Sequence, residues 1–179
     1  MIGVVVNYFQ LFGLQVDFNV DLGNLSVIYQ TLQKQVHPDR FAHASSQEQL
    51  IAVQKSTEIN DAYQTLKSPL LRAQYILTLR DVEMPSEQAS FGDVSFLMRQ
   101  MELRELLEDI KSADDTDAAI LAASQVFDTE FEQLFNQLKN QLSENTQELN
   151  TLACDNVRKL KFYQKLKIEL DRLEDLFDD

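Results

Sequence analysis

The sequence predicts an all-α protein made of two helical units, and three observations carry that expectation. The 179 residues include four glycines and three prolines, too few interruptions for a turn-rich β fold. Apolar residues recur at intervals of three and four along most of the chain, the period of a helix with one buried face. Hydrophobic residues make up 44% and charged residues 25%, which suits a packed core under a solvated surface. The length fits one or two domains.

The elements follow in order. "NYFQLFGL", Asn7 to Leu14, reads as a short apolar helix or turn. Asp21 opens a long helix with Leu22, Leu25, Ile28, Tyr29, Leu32 and Val36 on one face. Pro38 ends it, because the residue before a proline is pushed out of the helical region. After the polar stretch "FAHASSQ", either Ser46 with Gln49 or Ser45 with Glu48 offers a capping box for a second long helix. That helix runs through Ile51, Lys55, Ile59, Ala62, Tyr63 and Leu66. "KSPLLRAQYILTL" reads as a third, with Ser68 as N-cap and Pro69 at the first helical position. Two long antiparallel helices with short flanking ones are therefore expected, joined at their tip by a loop holding both histidines, His37 and His43.

"RDVEMPSEQASFGD", residues 80–93, reads as a linker, since Pro85, Ser86, Ser90 and Gly92 break the periodicity. Three helical segments follow at roughly 94–111, 117–142 and 144–177. The second carries a stripe of Ile120, Phe127, Phe131, Leu134 and Leu138. The third carries Val157, Tyr163, Leu166, Leu170, Leu173 and Phe177. Short connections between long helices predict an antiparallel three-helix bundle.

Charge separates the two units. The net charge is −13, yet residues 1–80 hold six acids and six bases, so the whole excess falls on residues 81–179. Such asymmetry points to modules with different partners and argues against nucleic acid, which calls for a basic surface. Cys154 is the single cysteine, which excludes an internal disulfide and suits a reducing compartment. "MIGVVVNYF" lacks a basic leader and a cleavage site and is too short to span a membrane, so the cytoplasm is the expected location.

The loop "KQVHPDRFAH", Lys34 to His43, admits several readings. His37 and Asp39 with Arg40 resemble an acid–base pair beside an anion stabiliser, but no phosphate loop, nucleophile elbow or second acidic cluster accompanies them. His37, His43 and Cys154 are three isolated metal-ligand types at irregular spacing. A plain turn, in which Pro38 stops the helix and Asp39 caps nearby amides, needs no function at all. The fourth reading is a rigid polar contact for another protein, since proline limits the entropy lost on docking.

The segment 94–111 holds a second oddity. Phe96, Leu103, Leu106, Leu107 and Ile110 share one sector of the helix, an ordinary core face. Leu97, Met98 and Met101 fall broadly opposite, with Glu105 among them and Glu102 at the edge. A peripheral bundle helix needs one apolar face, so this small methionine-containing patch rimmed by carboxylates is either packed elsewhere or offered to a partner. Phe162 sits at the edge of its own helix's stripe, beside Arg158, Lys161, Lys165 and Arg172, as a core-edge aromatic or a half-exposed anchor.

His37-Pro38-Asp39 between two amphipathic helices, with "YFQLFGL" before and "INDAYQTLKSPLLRAQYIL" after, resembles the J-domain of co-chaperones over about 70 residues. "SPLLRAQYIL", "FLMRQMELRELLEDI" and "VRKLKFYQKL" extend the resemblance, from Asn7 onward, to the HscB family of iron–sulfur cluster assembly co-chaperones. The resemblance implies an L-shaped molecule with a J-domain at 1–76, the end of its last helix and a linker at 77–83, and a scaffold-binding bundle at 84–179. It implies that His37, Pro38, Asp39, Lys34 and Arg40 engage a DnaK-type chaperone, HscA, and stimulate its ATPase. It further implies that Leu97, Met98, Met101, Glu102, Glu105 and Phe162 bind the scaffold IscU, with no active site, metal or cofactor in this chain. A J-protein serving a different client is the alternative. Two departures qualify the match. Lys34 is the only base on the helix before the loop, so electrostatic docking there is expected to be modest. The cysteine-rich N-terminal extension of some eukaryotic relatives is absent, as expected for a bacterial type.

Overall fold

The computed structural model describes residues 6–86 and 91–177, and the described chain forms seven helices and no strand. The opening residues 1–5 and the linker residues 87–90, Ser90 included, lie outside the described set. The chain divides after Arg80 into two compact units.

In the first unit, α1 (Tyr8–Leu11) is a single turn closed at both ends. Asn7 and Gln10 form a reciprocal capping box at its start. At its end Gly13 takes φ +65°, while the Gly13 and Leu14 amides return to Gln10 and Phe9. This is the Schellman closure that favours glycine. Phe9 is thereby buried, and Tyr75 of α4 (Pro69–Leu79) stacks on Tyr8 while its hydroxyl accepts the Tyr8 amide.

The long pair is α2 (Leu22–Val36) and α3 (Ser46–Lys67). Tyr29 stacks on Tyr63, and Gln33 exchanges two hydrogen bonds with Ser56, so rising numbers on α2 meet falling numbers on α3 and the pair is antiparallel. The inward residues of α3 include Ala52, Ser56, Ile59, Tyr63 and Leu66, an alternation of four and three that matches a helix wound against a neighbour, with Ala62 also fully buried. The expected seam began one residue early. Ile51 is 42% exposed, and small Ala52 takes its place near the tip, where the two helices converge on a short loop. Leu22, in the first turn of α2, also faces outward.

The capping of α3 resolves one ambiguity. Ser45 and Glu48 form the box, and Gln49 is left for another task. Ser68 and Pro69 open α4 as expected. Arg72 of α4 is buried, donates to the Leu66 carbonyl at 2.8 Å and lies over the Phe18 ring.

The second unit contains α5 (Val94–Ile110), α6 (Thr116–Gln141) and α7 (Gln147–Phe177). Helix α7 starts three residues later than the spacing indicated, because Thr146 accepts the Leu149 amide and acts as its cap. Glu130 of α6 meets Tyr163 of α7, Asp128 meets Lys167, and Gln137 and Gln141 meet Asn156, so α6 and α7 are antiparallel. Asp93 and Phe96 meet Lys159 and Phe162, so α5 runs parallel to α7. Their core is Phe96, Leu103, Leu107, Ile110, Ile120, Ala123, Phe127, Tyr163, Leu166 and Leu170, with Leu106, Phe131, Leu134 and Leu173 partly buried against it. Phe177, expected in that stripe, is 43% exposed at the helix's end.

Candidate functional site

The hairpin tip is built by its own backbone. After α2 the His37 backbone turns extended, and Pro38–Phe41 forms one turn of 3₁₀ helix. Capping runs opposite to the expected sense. His37 Nδ1 accepts the Asp39 amide at 3.3 Å, while the Asp39 carboxylate is 91% exposed, lies 3.5 Å from the same Nδ1 and caps no amide among the described residues. The reason lies in the turn itself, which makes His37 the N-cap and Asp39 the second residue. With Nδ1 accepting, the neutral ring carries its proton on Nε2.

Two side chains donate to carbonyls at the tip. Arg40 Nη1 donates to the Lys34 carbonyl at 3.3 Å, closing the last turn of α2. Gln49 Nε2 donates to the carbonyls of Phe41, Ala42 and Ala44 at 3.1–3.4 Å. Lys34, His37, Pro38, Asp39 and Arg40 are all exposed together at one end of the unit. The sequence offered Gln49 only as the capping partner of Ser46, a role that Ser45 and Glu48 take, and its reach to the loop carbonyls was not anticipated. Its signal was the rival capping assignment that the structure leaves unused.

On α5 the second apolar face is real. Met98 is 60% and Met101 66% exposed, Leu97 is half-buried, and Glu102 and Glu105 are exposed. Phe162 is half-buried on α7, edge-on to Phe96 and to Tyr163 at 5.8 Å, with the Arg104 guanidinium 5.7 Å from its ring. It is thus a core-edge aromatic that keeps part of its ring in solvent.

Behind this face runs a polar line that sequence reasoning missed. Arg99 donates from Nη1 to Glu102 at 2.6 Å and from Nη2 to Glu130 at 2.5 Å, with Nε also directed at Glu130. Glu130 accepts the Tyr163 hydroxyl as well. Burial pushes the Glu130 carboxyl up, but the Arg99 and Tyr163 hydrogen bonds outweigh it and hold the group below its ordinary range. Burial, together with Glu130, raises the Tyr163 phenol well above its usual value. The i, i+3 spacing of Arg99 and Glu102 was visible in the sequence; the reach to α6 was not.

A groove of about 450 Å³ flanks this line, bounded by Asp93, Arg99, Glu130, Lys159 and Tyr163. Its charges are matched, since Lys159 holds Asp93 at 2.7 Å. Cys154 is buried, and burial raises its thiol. Among the described residues no cluster of three or more His, Cys, Asp or Glu side chains is placed to hold a metal ion, and no helix is long and apolar enough to cross a membrane.

Comparison with known proteins gives a consistent result. Residues 92–171 match the model of the HSCB C-terminal oligomerisation domain. The co-chaperone protein HscB homolog of Colwellia psychrerythraea is 66% identical over 175 residues, covering 97% of this chain and all of the relative. That of Vibrio cholerae is 47% identical over 171 residues, covering 95% and 98%. Among solved structures, chaperone HscB from Vibrio cholerae superposes with a TM-score of 0.85 at 46% identity, covering 95% of this chain and 98% of that one. The crystal structure of human co-chaperone protein HscB gives 0.86 at 27% identity, covering 96% and 83%.

Proposed function

Because the chain belongs to the HscB co-chaperone family, we propose that it stimulates ATP hydrolysis by a DnaK-type chaperone, HscA, and delivers the iron–sulfur cluster scaffold IscU to it. The tip residues Lys34, His37, Pro38, Asp39 and Arg40 face the chaperone in this reading. Leu97, Met98, Met101, Glu102, Glu105 and Phe162 face the scaffold. Residues 1–76 act as the J-domain and 84–179 as the scaffold-binding bundle, joined through 77–83. The protein works in the cytoplasm, assists maturation of iron–sulfur proteins, and has no active site of its own.

One observation carries the reading. Arg40 and Gln49 hold the loop carbonyls and His37 Nδ1 caps the Asp39 amide, so the exposed Asp39 carboxylate and the Nε2 edge of the exposed imidazole are not used by these loop contacts. The proline limits the ordering cost of docking, and the imidazole Nε2–H and the carboxylate offer directional contacts. The exposed methionines supply adaptable apolar surface, and the carboxylate rim gives orientation. Carrying both contacts on one chain raises the effective concentration of scaffold at the chaperone.

The test is the steady-state ATPase of purified HscA with this protein, with and without IscU. Stimulation is expected with the protein alone and more with both, and His37→Gln should abolish it while the fold persists. Full stimulation by a folded His37→Gln variant refutes the chaperone contact. Failure of IscU to bind while stimulation persists points to a different client.

A further inference from the structure

On the reading that the α5 face meets the scaffold, we propose that Arg99 is a positioning residue that holds the Glu102 carboxylate ready for its partner, itself fixed by Glu130 and Tyr163. The two rim carboxylates are unequal. Glu102 Oε2 is held by Arg99 at 2.6 Å, and Oε1 has no donor among the described residues. Glu105, on the same face, has no ion-pair partner within 4 Å among the described residues.

Arg99 is not a loosely paired surface base. Nε and Nη2 grip Glu130 of the neighbouring helix in the forked geometry that suits a guanidinium, and Glu130 is fixed from its other side by the buried Tyr163. Only Nη1 is left to reach outward, and Glu102 receives it. The line runs from the core residue Tyr163 to the rim residue Glu102 through four side chains on three helices. A glutamate ordered before docking loses less rotamer freedom when it binds, whereas Glu105 must be ordered by the partner itself. Glu102 therefore acts after encounter, at short range, and governs how fast the complex falls apart. Glu105 supplies mobile charge, which governs encounter and its dependence on salt.

The experiment is a double-mutant cycle on the full-length protein, with association and dissociation of purified IscU as the readout and thermal unfolding alongside. Arg99→Gln should weaken binding about three- to ten-fold through faster dissociation, the range expected for freeing one ordered side chain. In a Glu102→Ala background the same substitution should produce no further loss. Glu130→Gln leaves Arg99 and Glu102 in place but weakens the grip on the guanidinium, and should speed dissociation in the same sense. It decides the matter alone if Arg99→Gln does not fold. Equal losses from Arg99→Gln with and without Glu102, unchanged dissociation, or tighter binding each overturn the positioning role. Met98→Ala in the same assay separates the two levels: if it leaves IscU binding intact, the assignment of this face fails, and the role of Arg99 with it.

Discussion

Arg40 reaches back over the 3₁₀ turn to donate to the Lys34 carbonyl at 3.3 Å, so the two tip bases that the sequence singled out are tied through one hydrogen bond. The bond uses the Lys34 backbone, and leaves the Lys34 side chain exposed. Arg40 thus shapes the loop as well as adding charge to it. Arg40→Ala should loosen the tip and raise the concentration needed for half-maximal ATPase stimulation several-fold, while Lys34→Ala should change mainly its salt dependence. Titrations of the chaperone's ATPase at two ionic strengths check both. Equal salt slopes for the two variants would contradict the distinction.

Exposure separates the two faces of α5 in stability. Met98→Ala and Met101→Ala remove groups already largely in water and should alter the unfolding free energy by less than about 0.5 kcal/mol. Leu103→Ala, at a fully buried position of the same helix, should cost about 2–5 kcal/mol. Urea unfolding of the three variants, paired with scaffold titration, should show the methionine changes reducing affinity at nearly unchanged stability.

Acid should weaken the second unit through two identified carboxylates. The Lys159 hydrogen bond, helped by Ser95 and the Phe96 amide, holds Asp93 well below its ordinary value of 3.8. Glu130 lies below 4.5 because Arg99 and Tyr163 outweigh its burial. A depressed carboxylate adds stability that is present above its unfolded pKa and lost as the pH falls through the lower folded one. Asp93→Asn and Glu130→Gln should therefore be less stable than the parent at neutral pH, and the gap should narrow as pH falls below about 4.5. Thermal unfolding across that range is the check, and a gap of constant size would mean that these pairs contribute nothing to the acid limb.

The sequence was most legible where a single physical rule acts locally. Pro38 had to end α2, and Ser68 with Pro69 had to open α4, because each rests on backbone geometry within one turn. The two apolar faces of α5 were legible for a similar reason, since their angular separation is fixed by the helical period. Where two residues competed for one task, reading was harder: both Ser45 and Ser46 could cap α3, and only the path of the preceding loop selects Ser45. Least legible was the Tyr163–Glu130–Arg99–Glu102 line, which joins positions on three helices and depends on how those helices rotate against one another. Asp39 illustrates a different limit. Its residue type favours capping, but the adjacent imidazole occupies that role, and no propensity scale anticipates it.

Three carbonyls at the tip converge on one side-chain amide, Gln49, whose two hydrogens must be shared among them. In genetic terms this makes position 49 a silent partner of the histidine loop. Gln49→Glu would set a carboxylate against three oxygens, splaying the loop without touching His37, Pro38 or Asp39. A loss-of-function screen would recover such alleles beside those of His37. Second-site suppressors would tell them apart, since a change that restiffens the loop can rescue position 49 but cannot replace a missing imidazole.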